Sequence, residues 1–221
     1  HVYLKDRTKS ARLLLTRHAK PRIDAGHPVP SGCCCPISLI ACGDEARLKN
    51  GSAVTSRCSL LPDRSVVECE EGFFVLSPEM CFVHMAGRLS IVDTVLLGFE
   101  LCGTYVACPG LSACYGRSPI CSKASLLEFA RRAKGVPGRR RAMRALSYVL
   151  DGSASPMETI FAMMLCLPYR MGGFGLPEPE LNYGIGVQKA FPKPRQTRVR
   201  YADLCWPDLH LICEYDSDEF H

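Results

Sequence analysis

The alternation of apolar and polar positions becomes regular only after about residue 60. From Asp63 to Leu76 the chain alternates weakly and is rich in β-branched and aromatic residues, which predicts a short strand pair turned at Glu70-Glu71-Gly72. Upstream, Lys5 to Lys20 is basic and compatible with a helix, and the prolines and glycines that follow it break any period. Residues 1–60 are therefore interpreted as loop, short strand or a disturbed segment.

Start and stop signals predict helices through the middle of the chain. Ser77-Pro78-Glu79 combines a serine N-cap with a proline in the first turn, so a helix is predicted to about Ala86, before Gly87. Signals of the same kind predict three further helices, over Ile91 to about Cys102, Ser122 to Lys134 and Arg139 to Leu150. Residues 104–121, which contain four glycines or prolines, are predicted to form a loop.

The last 70 residues follow a different pattern. Ser155-Pro156-Met157-Glu158 opens an apolar helix that runs to Leu167. Strands are then predicted over Leu181 to Val187, Val199 to Cys205 and His210 to Tyr215, the last two turned at Trp206-Pro207-Asp208. The change of pattern places a domain boundary near residue 150.

The predicted fold class is α/β in the broad sense (α+β). Residues 1–150 are expected to form a mostly helical regulatory or nucleic-acid-binding region with a small β element near 63–76. Residues 151–221 are expected to form a helix followed by a three-stranded sheet. A length of 221 residues allows one or two domains, and 47% hydrophobic residues supply enough apolar side chains for a core.

The longest apolar run, Ile160 to Leu167, would cross less than half of a bilayer, so no membrane association is expected. The chain opens at His1 without an initiator Met or a charged-then-apolar leader. A fragment or a processed chain, located in the cytoplasm, is therefore expected.

The fourteen cysteines fall below the density of a small disulfide scaffold and are interpreted as reduced thiols that pack as small hydrophobic side chains. Zinc is the alternative. It would have to use Cys102, Cys108, Cys114 and Cys121, whose spacing of six, six and seven matches no standard zinc knuckle.

The net charge of +5 is distributed unevenly. Cations uninterrupted by any acid form a candidate nucleic-acid-binding segment, which consists of Arg131, Arg132, Lys134, Arg139, Arg140, Arg141 and Arg144. From Asp203 to the end, the sequence contains no lysine or arginine. Its acidic residues there are Asp203, Asp208, Glu214, Asp216, Asp218 and Glu219. A basic region beside an acidic cluster is typical of a metal-dependent enzyme acting on a polyanion, and equally of two solvated faces.

The acidic residues are spaced to meet across a hairpin. Glu214 and Asp216 are two apart, so in a strand both side chains point to one face. Asp203 can approach them from the neighbouring strand, about 5 Å away. Three converging carboxylates repel one another unless a cation binds, and Mg²⁺ (or Mn²⁺) takes such oxygen ligands. Beside a phosphodiester, the ion would activate water and offset charge on the leaving oxygen.

This constellation resembles the PD-(D/E)XK nuclease superfamily, and especially its short bacterial members related to very-short-patch-repair endonucleases. The resemblance covers about residues 153–221 and rests on Glu158, Asp203, Glu214-x-Asp216 and on His221, five residues after Asp216. It implies a DNA endonuclease in which Asp203 and Glu214 ligate the metal and Glu158 assists through water. Asp216 or His221 would orient or deprotonate the nucleophile.

Three departures from the superfamily pattern accompany this resemblance. Ser217 stands where the related proteins have glycine, and Asp216 stands where Glu-x-Lys would place lysine. The chain also ends at His221, before the helix and strand with which the superfamily fold continues, so the module is expected to be incomplete.

The segment Phe74 to Tyr105 resembles an actinobacterial group with a region similar to the AbiEi antitoxin, fused to such a nuclease-like end. AbiEi-type proteins are transcriptional regulators of toxin–antitoxin systems. This second resemblance implies a DNA-binding regulator whose nuclease-like end is a scaffold without catalysis.

Each candidate residue also has a purely structural interpretation. Glu158 completes a capping box with Ser155, and Asp203 and Asp216 suit a strand end and a turn. Glu214 follows three apolar residues, where an unpaired charge is costly. The sequence therefore leaves three functions open: a metal-dependent DNA endonuclease, a DNA-binding regulator, and a protein that binds a protein partner without nucleic acid. The oligomeric state stays open as well.

Overall fold

The computed structural model describes residues 2–4, 37–41, 49–50, 53–57, 60–70, 73–106, 114–188 and 197–215. Within these ranges it contains five α-helices and two separate β-sheets, one before and one after the helices. The predicted mixed α+β class is confirmed. The basic segment Lys5 to Lys20, whose sequence is compatible with a helix, lies outside the described residues.

The first sheet has six strands in the order β3-β4-β2-β1-β6-β5. The strands are β1 (Val2–Leu4), β2 (Ile37–Ala41), β3 (Lys49–Asn50), β4 (Ala53–Arg57), β5 (Val66–Glu70) and β6 (Phe73–Leu76). The antiparallel pairing of β5 with β6 confirms the predicted strand pair. It is extended by β1 and by two parallel pairings, β1 with β2 and β2 with β4.

The five helices described are α1 (Pro78–Ala86), α2 (Ile91–Cys102), α3 (Lys123–Arg132), α4 (Arg139–Ala145) and α5 (Pro156–Cys166). Four of these begin where serine caps predict them, and α4 begins after Gly138 instead. The side chains of Ser77, Ser90, Ser122 and Ser155 each accept a hydrogen bond from the backbone amide three residues later. These caps satisfy amide groups that the first helical turn leaves without partners.

The prediction that α4 continues to Leu150 is wrong, since the helix ends at Ala145. The amide of Tyr148 donates to the carbonyl of Ala145, three residues back instead of four, so the chain tightens into a turn. Val149 and Leu150 are nevertheless buried in the core. Apolar residues at these positions are expected both for a buried turn and for the buried face of a helix. The sequence alone therefore does not distinguish the two.

The core is centred on α1, whose Met80, Phe82 and Val83 are fully buried. This helix packs against α2, α3, α4 and β6. The same hydrophobic cluster continues into α5 through Ala162 and into the last sheet through Leu204. Residues on both sides of the predicted boundary near 150 therefore share one core, while the boundary itself stays a prediction.

Hydrogen bonds also cross the predicted boundary. The amide of Thr104 donates to the carbonyl of Ser153 over 2.8 Å, and the amide of Gly152 donates to the carbonyl of Cys102 over 3.1 Å. They tie the end of α2 to the segment that leads into α5.

The last sheet is antiparallel in the order β7-β8-β9, with β7 (Glu180–Gln188), β8 (Thr197–Trp206) and β9 (Leu211–Cys213). The three predicted strands are confirmed, although β9 ends two residues earlier than predicted. Ala202, Leu204 and Trp206 of β8 are buried. A 3-10 helix, Pro207–Leu209, provides the predicted turn between β8 and β9.

Glycine at position 138 is required by the contact between α1 and α4. Gly138 has φ 94°, and a Cβ atom there would overlap with the carbonyl oxygen of Val83 and lie 2.5 Å from the amide nitrogen of Gly87. Both neighbours are backbone atoms of α1 or of its C-terminal end, so they cannot rotate away.

We expect Gly138→Ala to lower the free energy of unfolding by more than about 2 kcal/mol, since left-handed backbone strain and a backbone overlap add together. Gly152→Ala is the matched control, because Gly152 has φ 86° and no atom within 4 Å of the new methyl group. Its cost should be about 1 kcal/mol. Urea denaturation measures both, and equal costs would contradict the importance of the close approach.

Candidate functional site

Two candidate acids and one further polar residue lie near one another at the last sheet. On β7 and β8, Leu181 pairs with Leu204 and Tyr183 with Ala202, so Asn182 falls at the position opposite Asp203. On the other side of β8, the pairing ends at Leu204 with Cys213, and Glu214 is the first residue after it. Asn182, Asp203 and Glu214 are called the polar row below.

Asp203 is fixed by the chain that leaves β9. Its Oδ2 atom accepts a hydrogen bond of 2.6 Å from the amide of Tyr215. This bond keeps Glu214 and Tyr215 beside Asp203 after the strand pairing has ended at Cys213. It occupies one carboxylate oxygen of Asp203.

The expectation that Glu214 lies inside an apolar strand is wrong. β9 ends at Cys213, and Glu214 is exposed to solvent. Its charge therefore carries no burial penalty and needs no partner in order to be tolerated. An exposed carboxylate at the end of the hairpin is accessible to a cation or a ligand from solution.

Glu158 is buried at the first turn of α5 and connects this helix to the polar row. Its Oε2 atom accepts hydrogen bonds from the amide of Ala154 over 3.0 Å and from the Nδ2 atom of Asn182 over 3.1 Å. The amide of Glu158 donates to the Ser155 hydroxyl, as the capping box predicts. The helix N-terminus also favours a negative charge at this position.

Asn182 is a site residue that the sequence analysis missed. Its φ of 50° lies in the left-handed region, which asparagine tolerates better than most residues. Its Nδ2 atom donates to Glu158 and, over 2.8 Å, to the carbonyl of Gly152. Asparagine is disfavoured in strands, so its presence in the predicted strand over Leu181 to Val187 was a detectable signal.

A chain of buried hydroxyl groups lies beside Glu158. Thr159 Oγ1 is 2.8 Å from the hydroxyl of Tyr105 and 2.8 Å from that of Ser153. Burial raises the pKa of Tyr105, so its phenol stays protonated at neutral pH. This network links α5 to the end of α2 and was not indicated by any motif.

The predicted catalytic and metal-binding residues differ in their surroundings within the described part of the chain. The amide next to Glu214, that of Tyr215, donates to Asp203, whereas Glu158 is engaged with Ala154 and Asn182. Asp216 and His221 lie outside the described residues. In the part of the chain that the structure describes, no group of three or more histidine, cysteine or acidic side chains converges in a metal-binding geometry.

The seven predicted nucleic-acid-binding cations differ in their surroundings. Arg139 Nε donates to the carbonyl of Ala130 over 2.8 Å, at the end of α3. Arg141 Nη1 donates to the carbonyls of Ala86 over 2.9 Å and Leu89 over 2.6 Å, at the end of α1. These two guanidinium groups therefore cap helix C-termini, whose carbonyl oxygens lack partners within the helix.

Arg132 forms an ion pair with Glu128 (3.4 Å) and lies over the ring of Phe129. The other predicted cations are exposed, and among the described residues their side chains make no hydrogen bond or ion pair: Arg131, Lys134, Arg140 and Arg144. Four of the seven are thus accessible to a polyanion.

A cleft of about 500 Å³ lies between the end of α1 and the turn that joins α3 to α4. It is lined by Ala86 and Gly87 on one side and by residues 135–141 on the other. Within the described part of the chain, no acidic residue lines this cleft, whereas the three consecutive arginines of the basic segment do.

Most of the described cysteines are buried or partly buried free thiols, as the interpretation as packed thiols expects, whereas Cys114 is exposed. Burial raises the pKa of Cys121 to about 12 and that of Cys166 to about 11, so both are protonated at neutral pH. Cys108, one of the four cysteines of the zinc alternative, lies outside the described residues.

Comparisons with protein-family models, with curated proteins and with solved structures return no match. The resemblance to PD-(D/E)XK nucleases and to AbiEi-type proteins therefore stays a prediction. None of the helices within the described residues is both long and apolar enough to cross a membrane.

We expect Asn182→Ala to lower the free energy of unfolding by about 1–3 kcal/mol, since it removes donors from the buried Glu158 carboxylate and the Gly152 carbonyl. Asn182→Asp, which keeps the shape but sets a carboxylate against Glu158, should cost at least as much at pH 7. Thermal or urea unfolding measures both. A neutral Asn182→Ala variant would show that the contact between β7 and α5 contributes little.

The capping role of Arg141 predicts a difference between neighbouring arginines. Arg141→Ala should lower the free energy of unfolding by about 1–2 kcal/mol, because it leaves two carbonyl groups without a charged donor. Arg140→Ala, one position away and exposed, should change it by less than about 0.5 kcal/mol. Equal losses in urea denaturation would contradict this division.

Proposed function

We propose that the protein is a metal-dependent endonuclease that hydrolyses DNA phosphodiester bonds at the polar row. The observation that carries the proposal is the hydrogen bond from the amide of Tyr215 to Oδ2 of Asp203, which holds the exposed Glu214, one residue before Tyr215, close to Asp203 at the open end of the hairpin of β8 and β9. Neighbouring carboxylates repel one another, and a divalent cation between them removes that cost.

Asp203 and Glu214 would hold the metal. Mg²⁺ keeps several of its waters and is commonly bound in such sites by one or two protein carboxylates together with phosphate oxygens of the substrate. Two carboxylates therefore fit Mg²⁺ (or Mn²⁺). When bound, the ion supplies an activated water and offsets charge on the leaving oxygen.

The surrounding residues orient this pair. The amide of Tyr215 holds Oδ2 of Asp203, so the orientation of the carboxylate is set before any ligand binds. The hydrogen bond from Asn182 to Glu158 fixes β7 against α5. It thereby supports β8, the neighbouring strand, which carries Asp203. In this proposal Glu158 acts on the site through Asn182 or through water, and Asp216 or His221 supplies the base.

We expect the intact protein to nick supercoiled plasmid DNA with Mg²⁺ or Mn²⁺ and to lose that activity in EDTA. Glu214→Ala should reduce nicking by at least about 100-fold, since it removes one of the two protein carboxylates proposed to hold the metal. Asp208→Asn is the matched control, because Asp208 is an exposed acid of the same hairpin outside the polar row. It should retain the wild-type rate.

Binding of Mn²⁺ by the wild-type protein and by Glu214→Ala, measured calorimetrically, separates a ligand from a structural residue. Absence of metal binding at these carboxylates in the intact protein, or nicking that persists in Glu214→Ala, would overturn the endonuclease proposal.

The second candidate is a DNA-binding regulator without catalysis. It is favoured by the four exposed cations near α3 and α4, which make no ion pair among the described residues. This function predicts salt-sensitive DNA binding in EDTA and no nicking. Replacing Arg139, Arg140 and Arg141 together by alanine would not test this DNA-binding function cleanly. Arg139 and Arg141 cap helices, so their loss would also disturb the fold.

A further inference from the structure

The cleft between the end of α1 and the turn from α3 to α4 is separate from the polar row and has features of an anion site. We propose that this cleft binds a backbone phosphate of a nucleic acid and that Arg140 is the residue that contacts it. The phosphate is the ligand chemistry that the cleft recognises, and the choice of nucleic acid as its source rests on the proposed function.

The cleft is a built feature of the fold. Its two walls meet where Gly138 lies against Val83 and Gly87, an approach too close to admit a Cβ atom at position 138. Val136 is buried in the core and anchors the turn between α3 and α4. A cleft of about 500 Å³ is far larger than the roughly 30 Å³ of a water molecule, so it has room for a phosphate group and its flanking atoms.

The electrostatics of the cleft depend on a division of roles among three consecutive arginines. Helix C-termini carry a negative partial charge, and both α1 and α3 end beside the cleft. Arg141 donates to the end of α1 and Arg139 to the end of α3, so both negative ends are compensated. Arg140, the third of these arginines, compensates neither helix end, and its exposed side chain is available to a ligand.

No carboxylate opposes this charge within the lining of the cleft. Lys134 and Arg144 are exposed on the same segment and extend the positive surface, whereas Glu128 of α3 is paired with Arg132. A guanidinium group binds phosphate through two parallel hydrogen bonds, which a cleft of fixed shape can orient. Several accessible cations around one cleft suit a chain of phosphates better than a single free ion.

The test measures binding of the intact protein to a labelled DNA duplex in EDTA, at several salt concentrations. Each lost phosphate contact lowers the slope of log affinity against log salt by about 0.9. We expect Arg140→Ala to weaken binding at least about fivefold and to lower the slope by about one, with Arg140→Lys retaining most of the slope. Arg170→Ala removes an exposed arginine outside the cleft and is the matched control.

Inorganic phosphate, added in a parallel series at constant ionic strength, distinguishes the two sources of the ligand. If phosphate displaces the DNA only at high millimolar concentration, the result supports a nucleic-acid site. If the protein binds phosphate tightly, and Arg140→Ala abolishes that binding without changing DNA binding, the nucleic-acid assignment is overturned. Equal affinities and slopes for Arg140→Ala and Arg170→Ala would overturn the proposal altogether. Plasmid nicking at saturating DNA tests the endonuclease separately. If the wild-type protein does not nick DNA, the endonuclease proposal fails, whatever the effect of Arg140→Ala on DNA binding.

Discussion

The close approach of α1 to the start of α4 is the constraint on which the helical part of the structure depends. α1 contacts every other helix of that part and the strand β6 before it, so its position sets theirs. Gly138 permits the approach, and Arg141 then bridges the end of α1. One glycine and one arginine thus decide where four helices meet and where the cleft opens.

Local signals predicted the starts of the helices well, because a serine cap acts on an amide only three residues away. They failed at the end of α4, which is decided by packing of Val149 and Leu150 into the core. Apart from β5 and β6, the first sheet escaped prediction for a related reason: its pairings of β1 with β2 and of β2 with β4 are parallel and join distant segments, which leave no local turn signal.

That Asp203 lies close to the end of β9 was predictable, since antiparallel pairing of β8 with β9 runs up to Leu204 and Cys213, and the amide of Tyr215 then donates to Asp203. Asn182 was not, because its role comes from a contact with Glu158, 24 positions away, which no spacing rule describes. In the basic segment, composition indicated the charge but could not assign it. Only the fold distinguishes guanidinium groups that cap helices from those that remain accessible.

The bridge made by Arg141 joins groups that are 52 and 55 positions apart in the chain, so the cleft exists only once α1 and α4 have docked. A molecule that binds there recognises the folded state alone. By linkage, each tenfold excess of such a ligand over its dissociation constant adds about 1.4 kcal/mol to the stability of the fold. Occupancy of this surface therefore raises the free energy of unfolding of the helical region.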